Sequence, residues 1–170
     1  MIVRLRDGPT VEVAERVAGA AADIWALVTD INLPAKFSTE LHGVEWLKGA
    51  DGVAVGNRFR GHNRNSMIGD WSTECVVVEF EPERRWVWAV GGIDGVAATW
   101  GFELEPGHEA VTVRQWARMG PGPSGLTMAI ESMPHKEARI IARRLDEWRT
   151  SIAANLAGIR ALIEGEPSSP

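Results

Sequence analysis

Four polar side chains interrupt predicted strand faces that are otherwise apolar, and they are the candidates for chemistry. They are two carboxylates and two amides: Glu15, Glu74, Asn63 and Gln115. A carboxyl group whose pKa is raised by burial can act as a general acid or base, and an amide can orient a carbonyl or hydroxyl group. The alternatives are that the carboxylates end a strand or face solvent, and that the amides are hydrogen-bonded core residues. Glu15 is the best single candidate, because it shares a strand face with Val11, Val13 and Val17.

Other reactive side chains lack the partners that metal binding or nucleophilic catalysis requires. The histidines share no metal-ligand spacing, so we predict no metal site at His42, His62, His108 or His135. Cys75 is the single cysteine, which excludes an intrachain disulfide. No basic helper marks it as a thiolate, so we predict a small apolar core residue.

A glycine-rich segment at 120–125 matches the pattern G-x-G-x-x-G. Pro121 and Pro123 remove N–H donors that would hold a phosphate, and no further strand follows to complete a dinucleotide-binding unit. We therefore predict no cofactor here and interpret the segment as a hinge before the last helix.

Several large outward-facing side chains have ordinary explanations. Arg58, Arg60 and Arg64 alternate onto the predicted outer face of their strand, where we expect them to be solvated. Trp116 also alternates outward, and it is the single feature that favours a protein–protein adaptor as a third function class.

Period-2 alternation and Gly/Pro turns predict a connected antiparallel sheet of about six to seven strands. The predicted strands cover residues 10–17, 44–48, 57–64, 70–80, 85–90, 96–105 and 110–119. The face assignment of 70–80 stays open, because Val76, Val77 and Val78 are consecutive apolar residues.

Helical spacing occurs after the first strand and at the end of the chain. Residues 20–30 have apolar positions at i, i+3, i+4 and i+7, and a second short helix at 35–39 is an option. Residues 126–133 form a short apolar segment before a long helix at 135–164. That helix carries one continuous apolar stripe: Ile141, Leu145, Trp148, Ile152, Leu156, Ile159 and Ile163.

Length and charge restrict the class of protein. The 170 residues fit one domain, and the formal net charge of −5 lacks the basic footprint of nucleic-acid binding. We find no apolar segment of signal-peptide or membrane-spanning length, so we expect a soluble, cytoplasmic protein. We predict a single domain over 1–170 with a flexible tail at 165–170, and the sequence leaves the oligomeric state open.

The chain has eight Trp, four Phe and no Tyr. Alternation places Trp86, Trp88 and Trp100 on the sheet face that Trp148 of the last helix would meet. Rings in these positions either line a ligand cavity or pack against one another and fill the core. The strand, helix, meander and long-helix order predicts an α+β fold in either case.

This order and three local phrases resemble the START-like (SRPBCC) helix-grip superfamily, and within it the polyketide cyclase/dehydrase and lipid-transport group. The phrases are Ala-Asp-Ile-Trp at 22–25 leading to Thr-Asp at 29–30, Val-Gly-Asn-Arg-Phe at 55–59, and Val-Glu-Phe-Glu-Pro at 78–82. The resemblance implies a curved sheet around the C-terminal helix and a deep apolar cavity between them. Members bind lipids, sterols, polyketides or plant hormones, and a subset catalyses cyclisation or dehydration.

The resemblance and the alternation together predict the residues that line this cavity. They are Phe59, Asn63, Trp86, Trp88, Trp100, Phe102, Gln115, Met128, Met133, Leu145 and Trp148. The two methionines suit a lid over a cavity that accepts varied ligands. The expected partner is therefore an apolar small molecule such as a lipid, polyketide or aromatic compound.

Two function classes follow from these predictions. The first is a non-catalytic binder or carrier, and the alternative is a polyketide cyclase, aromatase or dehydratase that uses acid–base chemistry in the same cavity. Some cyclases of the group use Tyr and Arg, and the absence of Tyr here argues against that chemistry. We favour the carrier, because none of the four polar candidates has an evident partner in the sequence.

Overall fold

A computed structural model describes residues 2–66, 69–92 and 94–165. The predicted tail at 165–170 lies outside these residues except for Gly165. The strands are β1 (Thr10–Val17), β2 (Leu41–Trp46), β3 (Arg58–Asn65), β4 (Gly69–Glu81), β5 (Arg85–Gly92), β6 (Gly95–Pro106) and β7 (Val111–Met119). The helices are α1 (Ala21–Val28), α2 (Gly125–Ser132) and α3 (Glu137–Glu164), with 3-10 turns at Leu5–Asp7, Leu33–Lys36 and Pro134–Lys136.

The strands form one antiparallel sheet in the order β1-β7-β6-β5-β4-β3-β2. Consecutive strands from β2 to β7 are neighbours, and β1 joins at the β7 edge. The sheet curls into a half-barrel, and the long helix α3 packs on its inner face. The α+β helix-grip fold predicted from the sequence is thus confirmed.

A register shift in β4 settles the strand face that the sequence left open. Cys75 pairs with Phe59 and therefore faces the interior, as does Val77, which is 1% exposed. The shift falls between Val77 and Glu79, so one extra residue is accommodated there. Such a bulge explains why simple alternation fails over the run of three valines.

Helix α3 follows the predicted apolar stripe. Ile152, Leu156 and Ile159 are at most 1% exposed and belong to the main core. The helix packs chiefly against β1, with smaller contacts to β7, α1 and α2.

One close approach fixes α3 against the loop after α1. Gly158 lies in the C-terminal third of the helix, and the ring of Phe37 occupies the space that a Cβ would need. The helix accepts glycine at this position, despite its low helix propensity, because the ring packs on the bare backbone.

No described helix is long and apolar enough to cross a membrane.

Candidate functional site

Four tryptophan rings form a continuous column between the sheet and α3. The ring centroids of Trp86 and Trp88 lie 4.3 Å apart, those of Trp88 and Trp100 lie 6.4 Å apart, and those of Trp100 and Trp148 lie 4.9 Å apart. Strand register produces the middle contact, because Trp88 of β5 pairs with Trp100 of β6. The helix adds the last ring, so the column joins three elements.

Exposure rises along the column. Trp86 is 2% exposed, and its indole N–H donates a 2.9 Å hydrogen bond to the carbonyl oxygen of Val28. Trp88, Trp100 and Trp148 are half-buried and pack against the main core. We call these three residues the aromatic rim. Each rim residue thus keeps part of its surface accessible, while Trp86 at the other end of the column is buried.

The predicted cavity lining divides into two groups. Phe59, Trp86, Phe102 and Gln115 are fully buried, and the rings among them pack against one another. All four are therefore buried in the core. Two depressions of about 310 Å³ each are also present, one beside Arg118 and Gly120 and the other beside Ile2, Ala142 and Leu145, which is one of the predicted lining residues.

The remaining predicted lining residues are less buried. Asn63 and Leu145 are half-buried, and Leu145 packs against the main core beside Trp148. Met133 is half-buried at the end of α2, whereas Met128 is 69% exposed. Met128 was predicted to line the cavity, but its exposure places it on the solvent side of α2, and Leu126 and Ile130 form the packed face of that helix.

The candidate acids lie away from the aromatic rim. Glu15 is on the inner face, as predicted, but its Oε1 accepts a 2.6 Å ion-pair hydrogen bond from Arg160 near the end of α3. Glu74 is on the outer face, which corrects the expectation that it faces inward. It pairs with Arg60 across the β3–β4 ladder at 3.0 Å and with Arg58 at 3.5 Å.

Gln115 is a hydrogen-bonded core residue. It is 2% exposed, and its Oε1 accepts a 3.2 Å hydrogen bond from Nδ2 of Asn155 on α3. Sequence reasoning missed Asn155, although the spacing 4, 3, 4 from Trp148 through Ile152 and Asn155 to Ile159 places it on the buried side of the helix. The two amides hold the helix to β7 and leave neither group directed at the rim.

Arg144 is the other residue that sequence reasoning missed. The stripe places it to the side of the helix, yet its guanidinium reaches across to the start of β2 and pairs with Glu40. Nη2 lies 2.9 Å from Oε1 of Glu40 and Nη1 lies 3.3 Å from Oε2, which is a two-pronged contact. Nη1 also lies 2.7 Å from Oε2 of Glu147.

The same guanidinium also contacts the aromatic rim. Its carbon lies 5.8 Å from the centre of the Trp148 ring, within the range of a cation–π contact. Burial acts to lower the pKa of Arg144, but its hydrogen bonds to Glu40 and Glu147 outweigh this and raise it, so the cation persists. The rim therefore has a charged border, which consists of the Arg144 cation and the two carboxylates that pair with it, Glu40 and Glu147.

The thiol and imidazole groups contribute nothing to the rim. Burial raises the pKa of the Cys75 thiol to about 12, so the group is neutral and unreactive in the folded chain. His62 lies on the outer face between Ser72 and Glu45, at 2.9 Å and 3.0 Å. Within the described ranges, no three His, Cys, Asp or Glu side chains converge in a group that could hold a metal ion.

A family model described as "Polyketide cyclase / dehydrase and lipid transport" matches residues 9–151. No curated protein matches the sequence. Among solved structures, a polyketide cyclase-like protein from Corynebacterium glutamicum is 24% identical, with a TM-score of 0.67 over 96% of this chain and 94% of that one.

Two di-domain ARO/CYC proteins are also similar. One, from the steffimycin biosynthetic pathway, is 18% identical with a TM-score of 0.68, and the match covers 91% of this chain and 50% of that one. The other, from the BE-7585A pathway, is 18% identical with a TM-score of 0.67, covering 94% and 51%. This chain thus spans about half the length of each di-domain protein, and the likeness is one of fold.

Proposed function

Because the chain belongs to the polyketide cyclase/dehydrase and lipid transport family, we propose that it binds a flat apolar small molecule against the aromatic rim. The observation that carries the proposal is the partial exposure of three neighbouring indole rings, Trp88, Trp100 and Trp148. Large aromatic side chains gain most from burial, and contiguous exposed apolar surface is typical of binding sites. We propose that the whole of 1–170 acts as one binding domain.

We favour binding or carriage over catalysis because of what surrounds the rim. General acid–base catalysis needs an ionisable group within hydrogen-bond reach of the substrate. Glu15 and Glu74 are paired elsewhere with Arg160 and Arg60. The two carboxylates at the border, Glu40 and Glu147, are both paired with Arg144. Binding a polyketide, a lipid or an aromatic compound requires only the apolar surface.

A dye titration tests this proposal. Phenylnaphthylamine, an uncharged probe with a naphthalene and a phenyl ring, should bind the folded protein at about one site and quench Trp fluorescence. Trp100→Ala should weaken binding by roughly tenfold, since burying one aromatic face against a ligand is worth about 1–2 kcal/mol.

Trp116→Ala is the matched control. This ring lies on the outer face against Gly101, where an added Cβ would come within 2.6 Å of it, and Arg85 covers it at 5.3 Å. Its loss should leave dye affinity unchanged. Equal weakening by both substitutions, or binding that appears only in mild denaturant, would contradict the proposal.

A further inference from the structure

The charged border of the aromatic rim has the geometry of an anion-binding site that is occupied by the protein's own carboxylate. The Arg144 guanidinium faces Glu40 with two nitrogens opposite two oxygens, at 2.9 Å and 3.3 Å. This fork arrangement is the one that arginine offers to planar anions in general. A carboxylate or similar anion on a ligand could make the same pair of contacts.

The border is held together over a long sequence distance. Arg144 is on α3, and Glu40 is on the segment that enters β2, whose first residue pairs with Asn63 of β3. The side chains of Arg144 and Glu40 keep 29% and 26% of their exposure, so both are reachable from solvent. The pair therefore connects α3 to the segment that enters β2, beside the Trp148 ring of the rim.

The immediate electrostatics permit an exchange of partners. Glu147 also holds Arg144 at 2.7 Å, and Arg143 offsets the charge of Glu147 at 3.4 Å. If Glu40 releases Arg144 into contact with a ligand anion, Glu147 still fixes the guanidinium beside the Trp148 ring. Glu40 can then rotate into water, because it is already partly exposed.

We propose that Arg144 selects ligands that carry an anionic group on a planar aromatic body, with the ligand anion replacing Glu40 on the guanidinium. The ring system lies against the rim and the anion lies at its border. This inference rests on the proposed function, since it assigns the chemical class of the ligand that the rim accepts.

Two dyes with the same rings separate the charge from the apolar surface. Anilinonaphthalene sulfonate carries a sulfonate that phenylnaphthylamine lacks, so the ratio of their affinities reports the anion alone. Arg144→Gln should reduce the preference for the sulfonate by roughly tenfold or more, because hydrogen bonds to charged groups are the stronger ones. Affinity for the neutral dye should change little, which also shows that the variant is folded.

Glu40→Gln should have the opposite effect on the preference for the sulfonate. Removing the competing carboxylate should strengthen sulfonate binding by several-fold and leave the neutral dye unaffected. Arg149→Gln is the matched control, since it removes an exposed cation from the same helix that takes no part in the charged border. It should leave the ratio unchanged.

Three other outcomes would overturn the inference. If Arg144→Gln leaves the ratio unchanged while the neutral dye still binds, the rim binds ligands but Arg144 does not select among them. If Glu40→Gln strengthens both dyes equally, the ion pair acts as a steric barrier rather than an anion site. If neither dye binds the native protein, the proposed function itself fails.

Discussion

At the scale of single residues, the two buried amides show how a polar group is tolerated in this core. Gln115 and Asn155 are 2% and 7% exposed and satisfy each other across the helix–sheet interface. Among the described residues, no buried side-chain nitrogen or oxygen lacks a hydrogen-bond partner. The pair therefore contributes to the packing of α3 on the sheet, and its hydrogen-bonding groups are engaged with each other.

Replacing one amide should show the energetic cost of leaving the other amide buried without a partner. We expect Gln115→Leu to lower the free energy of unfolding by about 1–3 kcal/mol, because the Asn155 amide then lacks its partner in a buried site. Adding Asn155→Leu should recover most of the loss. Chemical denaturation of the three variants would measure this, and losses that simply add would contradict the coupling.

The buried thiol predicts a pH dependence with a definite sign. The pKa of Cys75 rises from 9.0 in the free residue to about 12 in the fold, chiefly through burial. As the pH rises above 9.0, the unfolded chain loses the thiol proton while the folded chain keeps it, so the unfolded state is favoured. The free energy of unfolding should therefore fall with increasing pH in this range.

Cys75→Ala isolates this contribution from other groups that titrate in alkali. Denaturation of both proteins at pH values on either side of 9.0 should show a steeper decline for the wild type. Parallel declines in the two proteins would mean that the thiol ionises as readily in the fold as in the unfolded chain.

At the scale of secondary-structure elements, α3 contributes side chains to both the main core and the aromatic rim. Its C-terminal half supplies fully buried residues such as Ile152 and Ile159, whereas Leu145 and Trp148 are half-buried and bridge to the smaller cluster around Ile141. Trp148 packs on Trp100 of β6 and thus joins the helix to the sheet at the rim.

Removing this ring should weaken the attachment of the helix. We expect Trp148→Ala to lower the free energy of unfolding by about 3 kcal/mol, at the lower end of the range for large aromatic residues because the ring is half-buried. The neighbouring exposed residue gives a control, and Arg149→Ala should change stability by less than about 0.5 kcal/mol. A loss of that smaller size for Trp148→Ala would show that the ring does not hold helix and sheet together.

The elements themselves were predictable where one physical pattern dominates. Strand β1 has the predicted bounds because its two faces differ clearly, with Val11 and Val17 buried and Glu12 and Arg16 exposed. Helix α3 was predicted to within two residues because seven apolar positions repeat at helical spacing. The predicted strand at 44–48 instead spans Leu41–Trp46, because edge pairing with β3 and a register shift near Gly43 determine its bounds.

Contacts between distant segments could not be predicted in the same way. The Arg144–Glu40 pair joins residues 104 positions apart, and periodicity contains no information on such a pairing. The outward position of Glu74 likewise depends on the β3–β4 register, which places it opposite Arg60. The column of tryptophans was foreseeable from alternation, but whether rings fill the space or leave it open is decided by packing in three dimensions.

At the scale of the whole molecule, the curled sheet and α3 enclose one main core, and the three residues of the aromatic rim pack against it while remaining half-buried. Helix α3 packs most extensively against β1, and the tryptophan column connects the helix to β5 and β6. Exposure remains at Trp88, Trp100 and Trp148, beside an ion pair that spans from α3 to the segment entering β2. A ligand placed there would complete the apolar interface between sheet and helix.

The most direct test of ligand binding at the rim is an NMR titration that follows the tryptophan indole N–H signals. Each of the eight tryptophans has its own indole N–H signal, and the position of that signal reports the surroundings of that ring. On addition of phenylnaphthylamine, the signals of Trp88, Trp100 and Trp148 should shift together and saturate, while that of Trp116 on the outer face stays in place. Saturable shifts confined to Trp116, or no shift at any of the three rim residues, would contradict the account.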